Sequence, residues 1–352
     1  MIRMATEKSH VIGQGTYGCA VRPKARCKKS MTQNTRKVGK FLSSRDAEIE
    51  LRIGALVKAI PEWEKFYVIQ EKDDCDADNM QRIRREYQED CKLFQKSTAG
   101  SNIIQIVSTY GGKTLVSSHP ISGFDYLASF RHVLEALDRL QEQGICHHDL
   151  KENNIVVDEN GTLRIIDFGA AFLGDVVKVD GAKGRGPMIH RLFDFYPDYN
   201  IFSPEYTVMC GLNKILDKSD TFDLSLLDIY NETLDQKTIF ALMATFLNMS
   251  RATCKRTLID FWNYTFNEWK HKDSVNENKW EEFVRTYWRT WDTWAIGVIY
   301  LKLLKNLLLH PTFLATTWKT HGLIIKKVLH GLLEVDPRKR LSAKDAKRML
   351  SV

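Results

Sequence analysis

The chain has 352 residues, 43% of them hydrophobic and 27% charged, the composition of an ordinary soluble protein with room for two domains and only local disorder. Its net charge of +7, from 51 basic and 44 acidic residues, reads as a mixed solvated surface, so nucleic acid is not expected as a partner. Seven cysteines at scattered positions, with no C-x-x-C pair, fit a reduced intracellular compartment and speak against a zinc site.

The amino terminus carries no apolar signal core. Val11 to Val21 then sets the pattern G-x-G-x-x-G among strand-like residues, with Gly13, Gly15 and Gly18 as its glycines. No amphipathic helix follows, only Arg22-Pro23 and a basic run to Lys40 without an acid, so the pattern suits a hairpin over phosphates better than a dinucleotide turn. Arg36 to Leu42 reads as a third strand, with Lys40 aimed at phosphates and Lys37 as its rival. From Ser44 the apolar residues recur at threes and fours until Pro61, which predicts a helix carrying Glu50 and Glu48 as partners for Lys40, Glu50 first.

Asp73 to Ser101 is charged, with a short helix expected near Met80 to Tyr87, and Ile103 to Val107 is a strand leading to a hinge at Tyr110-Gly111-Gly112. Tyr126 to Gly144 is an amphipathic core helix. The stretch that follows carries the chemistry. Cys146 to Ile155 reads H-x-D-L-K-x-x-N, and twelve residues after Asn154 comes Ile166-Asp167-Phe168-Gly169. Between them, Ile155 to Val157 and Leu163 to Ile166 bracket the turn residues Asp158 to Gly161, a hairpin pattern. Phosphoryl transfer asks little covalent chemistry of a protein and much positioning. An acid at 149 can accept a hydroxyl proton, a lysine at 151 can neutralise a transferring phosphoryl group, and the oxygens of Asn154 and Asp167 suit magnesium.

Downstream, Ser203-Pro204-Glu205 closes a segment containing Gly181, Gly184 and Gly186, Trp291 to Gly297 matches the helix start D-x-W-x-x-G, and Asp336 to Ala343 matches D-P-x-x-R-x-S/T-A, with Arg340 as the expected partner of Glu205. The apolar stretch Trp294 to Leu309 is interrupted by Lys302 and Lys305 and is too short to span a membrane.

With these blocks in one order, Val11 to Leu350 resembles the eukaryotic-type protein kinase superfamily, on its serine/threonine branch because lysine follows Asp149-Leu150. The resemblance implies an α+β, two-lobed fold: a small β-rich lobe over 1–110 and a large helical lobe over 111–352 with a helical insert at about 206–291. It implies ATP and magnesium as cofactors, Asp149 and Lys151 as catalytic residues, Ile12, Gly13, Gly15, Gly18, Lys40 and Glu50 around the nucleotide, and Asn154 and Asp167 on the metal. The texture of G-Q-G-T-Y-G-C, V-G-K-F-L, E-I-E-L-R-I-G and Y-G-G-K-T-L is similar to kinases encoded by large nucleocytoplasmic DNA viruses, some of them packaged. That implies host cytoplasm and virion as locations, and virion proteins beside a protein substrate as partners.

Three departures stand out. His148 replaces the arginine that grips a phosphorylated activation loop, so activation by loop phosphorylation is not expected; Ala20 replaces valine over the adenine; and 86 residues, 206 to 291, separate Glu205 from Asp292. The insert's five tryptophans, Trp262, Trp269, Trp280, Trp288 and Trp291, are expected to pack helices, with a docking surface as the other reading. Two other functions compete: a pseudokinase or virion scaffold, which has no need of five intact site residues, and a small-molecule or lipid kinase, which generally lacks the three downstream blocks.

Overall fold

The computed structural model describes the chain except for residues 1–9, 16–17, 29–33, 74, 99–100, 119–123, 177–191, 193, 217–222, 272–278 and 352. The activation-segment glycines Gly181, Gly184 and Gly186 lie outside the described residues. The chain divides into two units, one of residues 1–113, 156–160 and 164–169, the other of residues 114–155, 161–163 and 170–352.

The first unit is built on a five-stranded antiparallel sheet of order β1-β2-β3-β5-β4, with β1 His10–Gln14, β2 Gly18–Arg22, β3 Lys37–Ser43, β4 Glu71–Lys72 and β5 Ile103–Thr109. In β3, Phe41 and Leu42 are buried on opposite faces. Phe41 joins the cluster of Cys19, Ile83, Tyr87 and Phe94, while Leu42 packs with Ala47 and Ile106. Helix α1 (Ser44–Lys58) begins where the Ser43 hydroxyl accepts the Asp46 amide, a side-chain N-cap. Its buried face is Ala47, Glu50, Ile53, Gly54 and Val57, the expected threes and fours with one carboxylate among them. Two further helices, α2 (Ala77–Glu86) and α3 (Lys92–Lys96), fill the charged stretch.

Here the structure corrects the reading of the cysteines. Cys19–Cys91 and Cys27–Cys75 are disulfides, leaving Cys146, Cys210 and Cys254 as free, buried thiols. Partners 72 and 48 residues apart leave no local spacing to notice. The basic run after β2 is also less solvated than its composition implies. Arg22 lies over the Tyr110 ring, Lys24 pairs with Asp73 at 2.7 Å, and Gln105 of β5 exchanges hydrogen bonds with both backbone groups of Ala25. Gly39 has a steric reason, since a Cβ there would meet Gln105 Oε1 at 2.3 Å.

The second unit contains α4 (Leu115–Ser118), entered from β6 (Lys113–Thr114), and α5 (Tyr126–Glu142), whose buried residues include Phe130, Val133, Leu134, Leu137 and Leu140. The strand β7 (Ile145–Cys146) leads into the catalytic-loop motif. The expected hairpin follows as β8 (Ile155–Val157) and β9 (Leu163–Ile165), most of whose residues are counted in the first unit, and β10 (Phe172–Leu173) pairs back with β7. The remainder is helical: α6 Pro204–Leu216, α7 Asp223–Gln236, α8 Ile239–Leu247, α9 Arg251–His271, α10 Lys279–Leu307, α11 Pro311–Phe313, α12 Lys319–Leu332 and α13 Ala343–Met349. Trp262, Trp288 and Trp291 are buried and Trp269 meets Trp280 edge-on, so the insert's tryptophans pack helices.

Asp292 was expected at a helix start and lies instead in the interior of the 29-residue α10. The end of the insert folds as continuous helix into the D-x-W-x-x-G block, and from Trp291 to Leu301 every residue is buried. Among the described residues, no single helix is long and apolar enough to cross a membrane.

The disulfide pairing has a direct check. Unfolded without reductant and treated with iodoacetamide, the protein should take up three alkyl groups; after reduction it should take up seven. Seven in both conditions would show the four cysteines unpaired.

Candidate active site

In the first unit, Lys40 is the centre. Its Nζ contacts Glu50 Oε2 at 2.7 Å and Asp167 Oδ1 at 2.7 Å. The register that aims it is fixed by β3 pairing on both sides, with Ala20 and Ile106 opposite Lys40. Lys37 opposes Thr109 at the strand's first position, and Glu48 is exposed on α1, so the two rivals fall away by position. The Glu50 side chain is 1% exposed. Burial opposes the Lys40 ammonium, but the charges of Asp167 and Glu50 outweigh it and lift the lysine above its ordinary pKa. Burial pushes Glu50 up to about 7 against the pull of Lys40. The lysine therefore stays charged and holds two acids together.

The glycines of the first hairpin divide by role. A Cβ on Gly18 would lie 2.2 Å from the Phe41 carbonyl oxygen, so the sheet itself requires that glycine. Around Gly13 and Gly15 a Cβ would meet nothing within 4 Å among the described residues. Their lack of side chains serves no packing need, which leaves room for something to approach the backbone closely. Ile12, beside them in β1, is exposed.

Asp167 takes a left-handed backbone, φ 66°, unusual for a residue other than glycine. Phe168 after it is buried and meets Tyr67 edge-on, so the phenylalanine packs, while the Asp167 carboxylate faces the Lys40 ammonium. Gly169 is close to both acids: a Cβ there would lie 3.2 Å from Asp167 Oδ1 and 3.4 Å from Glu50 Oε2.

In the second unit the loop from His147 to Asn154 is held from below by Asp292. Its Oδ2 accepts the His147 amide at 2.7 Å and its Oδ1 the His148 amide at 2.9 Å. Burial nevertheless pushes the pKa of Asp292 above the ordinary aspartate value. Asp149 then stands with Oδ2 accepting from Lys151 Nζ at 2.7 Å and from Asn154 Nδ2 at 3.0 Å, and Oδ1 accepting from the Tyr199 hydroxyl at 2.7 Å. Asn154 Nδ2 also donates to the Asp149 carbonyl, so the amide nitrogen is used inside the loop and its oxygen is the end suited to a hard cation. In the first unit the Asp167 carboxylate is an oxygen donor of the same hard kind, the chemistry that suits magnesium.

His148, also left-handed at φ 65°, is enclosed by Phe172, Phe202, Tyr206 and Trp291. Its Nε2 is buried without a hydrogen-bond partner among the described residues, and burial pushes its pKa down to about 4. A neutral ring in an aromatic cage does not grip a phosphate. Beneath it, Arg340 forms two 2.8 Å hydrogen bonds to the Glu205 carboxylate, both side chains fully buried, and donates further to Glu334 and Val335 carbonyls. Ser203 Oγ completes the set on Glu205 at 2.6 Å.

Sequence reasoning missed Tyr199 and Lys237. Tyr199 is fifty positions from Asp149, and Lys237 is a fully buried lysine within the insert whose Nζ donates to the Tyr199 carbonyl at 2.5 Å. Neither belongs to a motif, and only folding brings them to the loop.

Two outcomes follow. Arg340→Met leaves Glu205 buried and uncompensated and should cost about 3–5 kcal/mol in urea unfolding, most of it recovered by Glu205→Met in the same chain. His148 adds a pH dependence: its folded pKa lies below its unfolded value of 6.5, so its contribution is full above pH 6.5 and is lost as the pH falls toward 4. His148→Phe should flatten the decline of the thermal midpoint across that window.

The protein kinase domain family model matches residues 6–180. CBL-interacting serine/threonine-protein kinase 15 of Arabidopsis thaliana is 42% identical over 52 residues, 15% of this chain and 12% of that protein. Serine/threonine-protein kinase oca2 of Schizosaccharomyces pombe is 31% identical over 93 residues, 23% of this chain and 14% of that protein. A probable serine/threonine-protein kinase, the MRK1 homolog of Encephalitozoon cuniculi, is 48% identical over 42 residues, 12% of this chain and 13% of that protein. The matched stretches thus span about an eighth of these relatives' lengths. With that match across the β-sheet region and the catalytic loop, and with a mostly helical remainder, the chain carries a protein kinase domain with the two-lobed protein kinase fold.

Proposed function

We propose that the chain is an ATP-dependent protein kinase that transfers the γ-phosphoryl group to serine or threonine hydroxyls of a protein substrate. One observation carries the reading: Lys40 is held between Glu50 and Asp167, the arrangement expected of a phosphate-binding lysine with its pairing glutamate and a metal-binding acid, which a scaffold has no chemical reason to keep. ATP with magnesium, when bound, supplies the phosphoryl group and part of its charge neutralisation.

The chain's own residues do the rest. Lys40 presents its ammonium to phosphate oxygens, Glu50 and β3 fix where it points, and the open backbone at Gly13 and Gly15 lets phosphates approach N–H groups without steric cost. Asn154 and Asp167 would hold the metal. Asp149 orients the acceptor hydroxyl and takes its proton, while Lys151, on the other carboxylate oxygen, is placed to offset charge on the transferring group. The buried Glu205–Arg340 pair and the Asp292 contacts hold the loop in one geometry, so little reorganisation is left for the reaction.

The reading extends to a virus-encoded kinase in the host cytoplasm and the virion, with virion proteins among its partners. This extension rests on the resemblance of G-Q-G-T-Y-G-C, V-G-K-F-L, E-I-E-L-R-I-G and Y-G-G-K-T-L alone, and mass spectrometry of purified particles tests it. With His148 neutral and caged, we also propose a kinase competent without loop phosphorylation; a phosphatase that abolished its activity would count against this.

The main test is transfer of labelled γ-phosphate from Mg-ATP to generic protein substrates, with phosphoamino-acid analysis. Phosphoserine or phosphothreonine should form, and Asp149→Ala should lower kcat by roughly 10²–10⁴. Asp167→Ala should show no measurable transfer. A folded, nucleotide-binding protein without transfer would return the weight to a scaffold.

A further inference from the structure

Tyr199 belongs to none of the motifs, yet it touches the central carboxylate. Its hydroxyl donates to Asp149 Oδ1 at 2.7 Å. That contact is not needed to orient Asp149, because Oδ2 is already fixed by Lys151 at 2.7 Å and Asn154 at 3.0 Å. Among the described residues, Oδ1 has no other side-chain partner. It is the oxygen left to receive a proton from an acceptor hydroxyl, which must come within about 2.6–3.2 Å. A hydroxyl at 2.7 Å is already there.

Tyr199 holds that place as a proton donor. Burial, and then the negative charge of Asp149, push its pKa far above the ordinary tyrosine value, so the phenol stays neutral. Its backbone is anchored by the insert. Lys237 Nζ donates to the Tyr199 carbonyl at 2.5 Å, the Ile239 amide donates to Asn200 Oδ1 at 2.9 Å, and Asn200 Nδ2 donates to Thr238 Oγ1 at 3.1 Å. Trp294 Nε1 fixes the Asn200 carbonyl at 3.0 Å. What remains free is rotation of the tyrosine side chain, which is half-buried, with the Phe202 ring edge-on at 4.8 Å.

We propose that the Tyr199 hydroxyl is a built-in competitor for the acceptor position on Asp149, displaced by side-chain rotation when a substrate serine or threonine hydroxyl enters. The inference rests on Asp149 being the proton acceptor of the kinase reaction. It gives the insert a function in specificity: through Lys237 and Ile239 it keeps the competitor within reach. Only acceptors whose flanking residues bind well enough then replace the tyrosine.

The test is steady-state kinetics of Tyr199→Phe with a serine peptide and Mg-ATP. Phenylalanine keeps the ring and the backbone contacts with Lys237 and loses only the hydroxyl. The peptide KM should fall about tenfold, the scale of one hydrogen bond to a charged group. The KM for ATP should stay unchanged, and kcat should not fall; Tyr199→Leu, lacking the ring as well, should give the same split. An unchanged or raised peptide KM, or a lowered kcat, would overturn the proposal, the lowered kcat by showing that the tyrosine orients Asp149. Absence of transfer by both the unmodified and variant chains, each folded by circular dichroism, would overturn the kinase reading and this proposal together. Robust transfer with an unmoved peptide KM would overturn this proposal alone.

Discussion

The second unit depends on a carboxylate buried in the middle of a helix. The two oxygens of Asp292 accept from two consecutive backbone N–H groups, those of His147 and His148. A buried acid costs several kcal/mol unless its lone pairs are satisfied, and the loop conformation that presents both amides is therefore the one in which α10 can pack. The left-handed turn at His148 accompanies this arrangement. Asp149 is the next residue, so the position of the proposed base is set by the packing of a helix whose other buried side chains are almost all apolar.

The insert stands in a similar relation to the activation segment's end. Large aromatics at helical spacing invite a docking-surface interpretation, but a tryptophan with its ring against Phe283 at 5.0 Å has already used its apolar face. Helices packed through such contacts can deliver a side chain to a fixed point. Lys237 is what they deliver. A fully buried ammonium is expensive, and burial drives its pKa down to about 7 against the pull of Asp198 and Glu205. Its contact with the Tyr199 carbonyl fixes the chain beside the base and not the base itself.

How much of this the sequence revealed follows the range of each interaction. Asp149, Lys151 and Asn154 lie in one short loop, and their mutual hydrogen bonds close within five residues, so spacing alone exposed them. The hairpin of β8 and β9 was legible for the same reason. Lys40 and Glu50 were legible because strand and helix periodicities place them, although ten residues is a short interval. The disulfides were not, since loop closure over 48 and 72 residues leaves no local pattern. Asp292 was found as a motif and misplaced as a helix start, because helical periodicity on both sides of it gives no signal for where one helix ends. Tyr199 carried no signal at all: one hydroxyl among twelve tyrosines acquires meaning only when the chain brings it to Asp149.

Together these constraints bear on how such a site is switched. Where an arginine stands next to the base, its charge makes the loop's geometry depend on a phosphate elsewhere. The proposed independence from loop phosphorylation rests on His148, a ring among Phe172, Phe202, Tyr206 and Trp291 that gains its energy from apolar contact. The segment around Ser203 is fixed by groups that need no modification: the Glu205–Arg340 pair, Ser203 on the same carboxylate, and Lys237 on Tyr199. On that proposal, order held by the buried Glu205–Arg340 pair and aromatic packing does not wait for a phosphate. Control at this site then has to act where a side chain can still move, and at the proposed base that side chain is Tyr199.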